Sequence, residues 1–325
     1  MPPTIDDLFA SPDHYLHSFE RGAAVFVPMD RASYRRSIFL DHRMAAAAAG
    51  SHSIPVADLI GRAGRPAATG WIFHIAHCGS TLLARALGEI SDNLVLREPL
   101  ALRQFALAPD EAALRPLLTM LGKRYAAGRP TVIKANVPVN FILERIAAVD
   151  SEARAILLYC GLCDYLSAIL RSDQHRAWVR GITELLEPKI GDLAGAADAQ
   201  RAAALWIAQM RRFADALAAM PNARTLDCEV FFGQPRRVLP LAAALLEIPA
   251  TAHEVDALVA GPLFSTYSKN PGLAFDNAAR LARKKGLQMS LALELEVATR
   301  WVERNAPDWE VLSGTISDAA LDVDG

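Results

Sequence analysis

Trp71-Ile-Phe-His-Ile-Ala-His-Cys-Gly-Ser-Thr-Leu-Leu-Ala-Arg-Ala-Leu87 decides the fold. The apolar run from Trp71 to Ala76 predicts a buried strand. It breaks at His77-Cys-Gly-Ser-Thr81 and resumes at helical spacing through Leu82, Leu83, Ala86 and Leu87. A strand, a tight glycine turn and a first helical turn together make an anion-binding cup. The unpaired N–H groups at the helix start point at the ligand, and the helix dipole adds partial positive charge there. Ser80 and Thr81 add hydroxyls at the same end, so phosphate is the expected ligand. Gly-Ser-Thr also serves as an ordinary turn and N-cap at a strand–helix junction, and that plainer reading stands beside the first.

Outward from this stretch, the pattern alternates strand and helix from about Ala68 onward. Strands are predicted at Trp71–Ala76, Asn93–Arg97, Thr131–Ala135, Ala153–Tyr159 and Thr225–Phe231. They are short, rich in Val, Ile and Leu, and separated by helical segments, as in a parallel sheet covered on both faces. Asp198–Ala219, Arg236–Leu246 and a last long helix around Ser290–Asn305 carry helical periodicity. Residues 1–65 differ. Ala23–Met29 predicts a strand, Arg31–Leu40 a short helix, Ala45–Ala49 a helix end, and Gly61–Pro66 a loop. This region is expected to be an N-terminal extension packed on a main domain of residues 66–325. The fold class is therefore α/β, a three-layer sandwich with a central parallel sheet.

With 325 residues, 52% of them hydrophobic, the chain is long enough for a large core. Its 34 basic and 36 acidic residues leave a net charge of -2, which argues against nucleic acid as the main partner. Four scattered cysteines make no disulfide scaffold and point to a reducing compartment. The start Met-Pro-Pro-Thr-Ile-Asp-Asp lacks the charge and apolar core of a signal peptide, and no apolar run is long enough for a membrane span. The expectation is a soluble cytoplasmic protein with no membrane partner. Oligomeric state is not legible.

The loop does not meet G-x-x-x-x-G-K-[ST]: the lysine and the upstream glycine are both missing. His77-Cys-Gly-Ser-Thr-Leu-Leu83 instead resembles the phosphosulfate-binding loop of the P-loop sulfotransferases, with His77 in the basic slot and Cys78 in the serine slot. The resemblance continues in register to about residue 250. Leu96-Arg-Glu-Pro-Leu100 places Glu98 where bacterial and tyrosylprotein-type members carry the base for the acceptor hydroxyl. Val132-Ile-Lys-Ala-Asn136 ends a strand on a cation, and Arg224 to Ile248 is similar to the family's late strand, acidic residue, proline and helix.

This resemblance implies a bacterial-type sulfotransferase-like fold using 3′-phosphoadenosine 5′-phosphosulfate (PAPS), with no metal and a small-molecule or peptide acceptor. It implies donor binding by Cys78, Gly79, Ser80, Thr81 and Leu82, and catalytic roles for Glu98, His77 and Lys134. Plainer readings remain: Glu98 as a strand-end carboxylate, Lys134 as a surface cation, Glu229 as a loop anchor and His74 as a core histidine. The second cofactor motif departs from the family. Cys160 stands at the arginine position and Ala168 at the serine position, with Ser167 one residue early. Replacement donor ligands are expected among Ser167, Arg171, Arg176, Arg180, Tyr267-Ser268-Lys269 and Arg280, and Arg283-Lys-Lys-Gly286 weakly resembles the family's C-terminal segment. Cys160-Gly-Leu-Cys163 has C-x-x-C spacing, and free thiols are the simpler expectation. Phe26–Asp30, Phe39–Arg43 and Tyr165–Ile182 are candidate acceptor walls. Two other functions stay open: a kinase-like phosphotransferase, and a binding protein of the same fold that has lost catalysis.

Overall fold

A computed structural model describes residues 3–268 and 270–323. Ten strands are described among these residues. The first three, β1 (His14–Glu20), β2 (Ala23–Pro28) and β3 (His52–Pro55), form an antiparallel sheet of their own. The main sheet is parallel and five-stranded: β4 (Thr69–His74), β5 (Val95–Arg97), β6 (Thr131–Lys134), β7 (Arg154–Tyr159) and β8 (Ala223–Asp227), in the spatial order β5-β6-β4-β7-β8. A short hairpin of β9 (Thr266–Tyr267) and β10 (Asn270–Ala274) lies near the C-terminal helices.

The order places β4, the strand of the opening stretch, at the centre. Every residue of β4 is buried, which is why it reads as an unbroken apolar run rather than an alternating one. From β4 the chain moves to one edge, then returns through β6 and crosses to β7 and β8 on the other side. Right-handed crossovers therefore put helices on opposite faces. The helices used below are α1 (Ser80–Ile90), α2 (Leu100–Leu107), α3 (Leu162–Ile169), α4 (Asp173–Leu185), α5 (Asp198–Ala219), α6 (Cys228–Gly233), α7 (Pro235–Leu245), α8 (Asn277–Ser290) and α9 (Ala292–Asn305). Helices α1 and α7 pack together on one face; α5 and the short helices after β6 cover the other. The reversal of strand direction of travel at β4 opens a crevice beyond its carboxyl end, where ligands of open α/β sheets bind.

The N-terminal sheet is stitched onto this domain. Leu40 N–H donates to Arg97 O at 2.8 Å, and Leu100 N–H donates to Leu40 O at 3.1 Å. Gln104 on α2 bonds both backbone groups of Phe19. The buried Arg97 guanidinium donates to the carbonyls of Tyr34, Arg35 and Ser37. Lys123, buried beneath the sheet, donates to the carbonyls of Leu8 and His14.

Several local expectations need correction. Cys228 to Phe231 is not strand: Asp227 caps the Glu229 amide and turns the chain into α6. The helix expected around Ser290–Asn305 is α9, but the basic segment before it is itself helical, as α8, and a further helix, Trp309–Asp318, follows. The early helix stops at Arg36, Ala45–Ala49 is irregular, and Gly61 and Arg62 end a helix, Val56–Arg62, rather than open a loop.

Candidate active site

The loop after β4 is built as a cup. Gly79 caps α1 in the left-handed conformation (φ 85°, ψ 3°) with no side-chain cap. A Cβ added there would lie 2.6 Å from Cζ of Phe232, so glycine is required by both backbone and packing. His77 also has positive φ, at 62°. The Cys78 thiol is buried and donates to Ile75 O at 2.8 Å, which pins the turn. Burial pushes this thiol up, while its contacts with Cys160 and His74 and the Ser80 amide pull it down, for a net lowering. The N–H groups of Gly79, Thr81 and Leu82 find no acceptor among the described residues. The Thr81 hydroxyl is buried and has no partner among the described residues.

This cup opens on a cleft of about 1070 Å³. Glu98 faces the same cleft from the end of β5. It follows Arg97 with φ 57°, and its amide donates to Lys134 O at 2.7 Å. Lys134, at the end of β6, is 1% exposed at its side chain and donates to the Glu98 carboxylate, which is 21% exposed. His74, at the end of β4, stands behind them: Nε2 is 3.8 Å from Glu98 Oε1 and otherwise unpartnered, while Nδ1 bonds Ile75 O at 2.8 Å. Asn136 Oδ1, just past β6, is a third buried orphan on this cleft. A buried polar atom without a partner costs about 1–3 kcal/mol. Three of them in one cleft mark a surface shaped to receive a polar ligand.

The loop and Glu98 are thus brought together. Lys134 is not a free cation in the crevice; it lies beneath Glu98 and fixes it. His77 lies tilted against His175 of α4 (ring centroids 4.8 Å apart, planes at 48°) and meets Trp178 edge-on at 6.0 Å. The segment Phe39–Arg43 does form a wall, with Asp41 bonding Arg43 Nε at 2.9 Å and the Arg43 guanidinium 4.2 Å over the Phe39 ring. The Asp41 hydrogen bond raises the Arg43 pKa against burial, and Glu98 adds to it. Phe26 does not reach the cleft; it is core.

A smaller hollow of about 180 Å³ adjoins the loop on the other side, lined by Leu82, Cys160, Ser167, Arg171, Phe232, Tyr267, Phe275, Arg280 and Arg283 among others. Here the expected donor ligands sort themselves. Ser167 donates to Cys163 O at 2.6 Å and keeps only lone pairs for a ligand. Arg171 contacts the His175 ring, and Arg283 contacts the Tyr267 hydroxyl at 2.5 Å; neither has a carboxylate partner among the described residues. Arg176 and Arg180 are corrections: they pair with Glu294 and Asp198, outside both hollows. Arg280 is held by Glu229 at 2.7 Å on both nitrogens, and Lys284 bridges Glu229 and Asp164. Arg280 and Lys284 therefore hold the Glu229 carboxyl below its usual range, although burial opposes them. Lys269 lies outside the described residues.

Cys160 does not pair with Cys163, which is exposed. Its sulfur meets Cys228 Sγ at 2.6 Å, and its carbonyl accepts from Trp206 Nε1 at 3.0 Å. Burial and the two neighbouring thiols push the Cys160 thiol up. Sequence reading missed His74 and Asn136 as site residues. The available signal was position: each lies at or just past the carboxyl end of a parallel strand.

Two solved structures are similar to this chain. The sulfotransferase domain from the curacin biosynthetic pathway aligns with a TM-score of 0.42 and 15% identity, over 65% of this chain and 84% of that one. The sulfotransferase from Alicyclobacillus acidocaldarius aligns with a TM-score of 0.41 and 16% identity, over 74% and 95%. No family model and no curated protein matches. The likeness is one of fold.

Proposed function

We propose that the chain is a sulfotransferase-like enzyme that moves a sulfuryl group from PAPS to an acceptor hydroxyl. One observation carries this reading. The open amides and orphaned Thr81 hydroxyl of the loop share a cleft with a carboxylate fixed from below by a buried lysine. These residues suit a phosphosulfate end. The amides of Gly79, Thr81 and Leu82, with the Thr81 hydroxyl, would hold its oxygens. Arg171 and Arg283, without carboxylate partners, would take a further phosphate, beside the rings of Phe232, Phe275 and Tyr267. PAPS, when bound, supplies the activated sulfuryl group.

Glu98 accepts the proton of the acceptor hydroxyl. Lys134 holds that carboxylate in place, and His74 backs it. His77 stands at the loop, where a protonated imidazole would balance charge. The chain's work is placement and electrostatics.

Calorimetry with 3′-phosphoadenosine 5′-phosphate and, separately, with ATP and magnesium tests this. Binding of the first, weakened by Arg171→Gln and by Arg283→Gln, is expected. Preference for ATP would favour a phosphotransferase, and binding of neither a non-catalytic role; both would overturn the proposal.

A further inference from the structure

The charged side chains around the cleft fall into partnered sets. Asp41 holds Arg43, and Glu98 holds Lys134. Arg171 rests on His175, and Arg283 on Tyr267. Arg103 stands apart: its guanidinium has no hydrogen bond or ion pair among the described residues, though it lines the cleft. It sits on α2, three residues past Leu100, which also lines the cleft, so both project from one helical face. That helix starts two residues after Glu98.

Position separates Arg103 from the donor cations. Arg171 and Arg283 line both the cleft and the smaller hollow beside the loop, whereas Arg103 lines the cleft only. It therefore belongs to the side where an acceptor approaches Glu98. The same cleft presents the half-exposed ring of Trp178, an apolar surface suited to an aryl group, and the Phe39 ring lying under the Arg43 guanidinium. A guanidinium left unpaired beside a proton-accepting carboxylate calls for an anion on the incoming molecule.

We propose that the acceptor is a small aryl alcohol bearing a carboxylate or comparable anionic group, held by Arg103. The inference rests on reading the cleft as a sulfuryl-transfer site. Its chemistry is recognition alone: the hydroxyl meets Glu98, the ring lies along the aromatic wall, and the anion meets the guanidinium.

A matched series tests it: 4-hydroxyphenylacetate, its neutral amide, and the cation tyramine, each assayed for sulfation with PAPS and each titrated by calorimetry without donor. The anion is expected to bind about tenfold more tightly than the amide, the gain typical of a charge-assisted contact. Arg103→Gln should erase that difference and leave the amide unchanged. Arg103→Glu should reverse the order toward tyramine. Because the Arg103 side chain anchors nothing, both variants should unfold at the wild-type midpoint. Equal binding across the series, or a preference that survives Arg103→Glu, overturns the inference. Arg103-dependent binding with no sulfated product would leave the inference standing and bring down the sulfotransferase reading instead.

Discussion

The Glu98–Lys134 pair joins two unequally buried charges, and that asymmetry fixes how its variants should rank. Lys134 is 1% exposed and Glu98 21% at their side chains. Glu98→Gln keeps the shape but leaves an ammonium sealed beneath the cleft. Removing one partner of a buried ion pair costs about 3–5 kcal/mol. The glutamine oxygen still accepts a hydrogen bond, which lowers the expected loss to about 2–4 kcal/mol. Lys134→Met leaves a carboxylate that cleft water reaches and that Arg43 attracts, so the expected loss is about 1–2 kcal/mol. The double variant removes both charges and should lie near Lys134→Met alone, giving a coupling of about 2 kcal/mol or more. Urea unfolding at pH 7 measures all three. If Lys134→Met proves costlier than Glu98→Gln, or the coupling falls below about 0.5 kcal/mol, the buried-lysine account is wrong. Activity separates structure from chemistry, because the double variant should regain stability and still transfer no sulfate.

Thr81→Val removes an orphaned hydroxyl at constant shape, so the free protein should gain about 1 kcal/mol while nucleotide binding weakens in calorimetry. Gly79→Ala combines positive φ with a clash against Phe232 and should cost about 2–4 kcal/mol by urea unfolding, part of it recovered by adding Phe232→Ala. Burial pushes Lys123 down to about 7, below the ordinary value of about 10.4 for an unfolded chain. Between these values the unfolded chain holds more protons, so this group makes stability rise with pH, by at most about 1.4 kcal/mol per unit. The slope difference between wild type and Lys123→Met, measured from pH 7 to 10, should show it. Cys160→Arg would force a guanidinium against the two remaining buried thiols, Cys78 and Cys228, and should unfold the protein rather than improve donor binding, as its melting curve would show.

Much of the site was legible because parallel-sheet architecture maps chain order onto space. An apolar run followed by His77-Cys-Gly-Ser-Thr81 predicts a strand feeding a helix, and Glu98, at the end of a neighbouring strand, is then expected at the same crevice. What chain order could not say was which side chains neutralise each other. Arg176, Arg180 and Arg280 look like donor ligands on the sequence, yet Asp198, Glu294 and Glu229 hold them. Those partners arrive from 18 to 118 residues away, and ion pairing has no local sequence signature. The same holds for the cysteines: free thiols were expected and are found, but only the fold makes Cys228 the neighbour of Cys160, because Tyr159 and Asp227 are paired across β7 and β8.

The amino-acid order alone therefore determined the layered α/β fold and the anion cup, since both follow from short-range periodicity and the fixed handedness of crossovers. Only tertiary packing decided the charge state of the cleft: Lys134 under Glu98, His74 behind it, Arg171, Arg283 and Arg103 left without carboxylates. Electrostatic pairing depends on distances of a few ångströms between segments far apart in the chain, and those distances exist only once the core has closed.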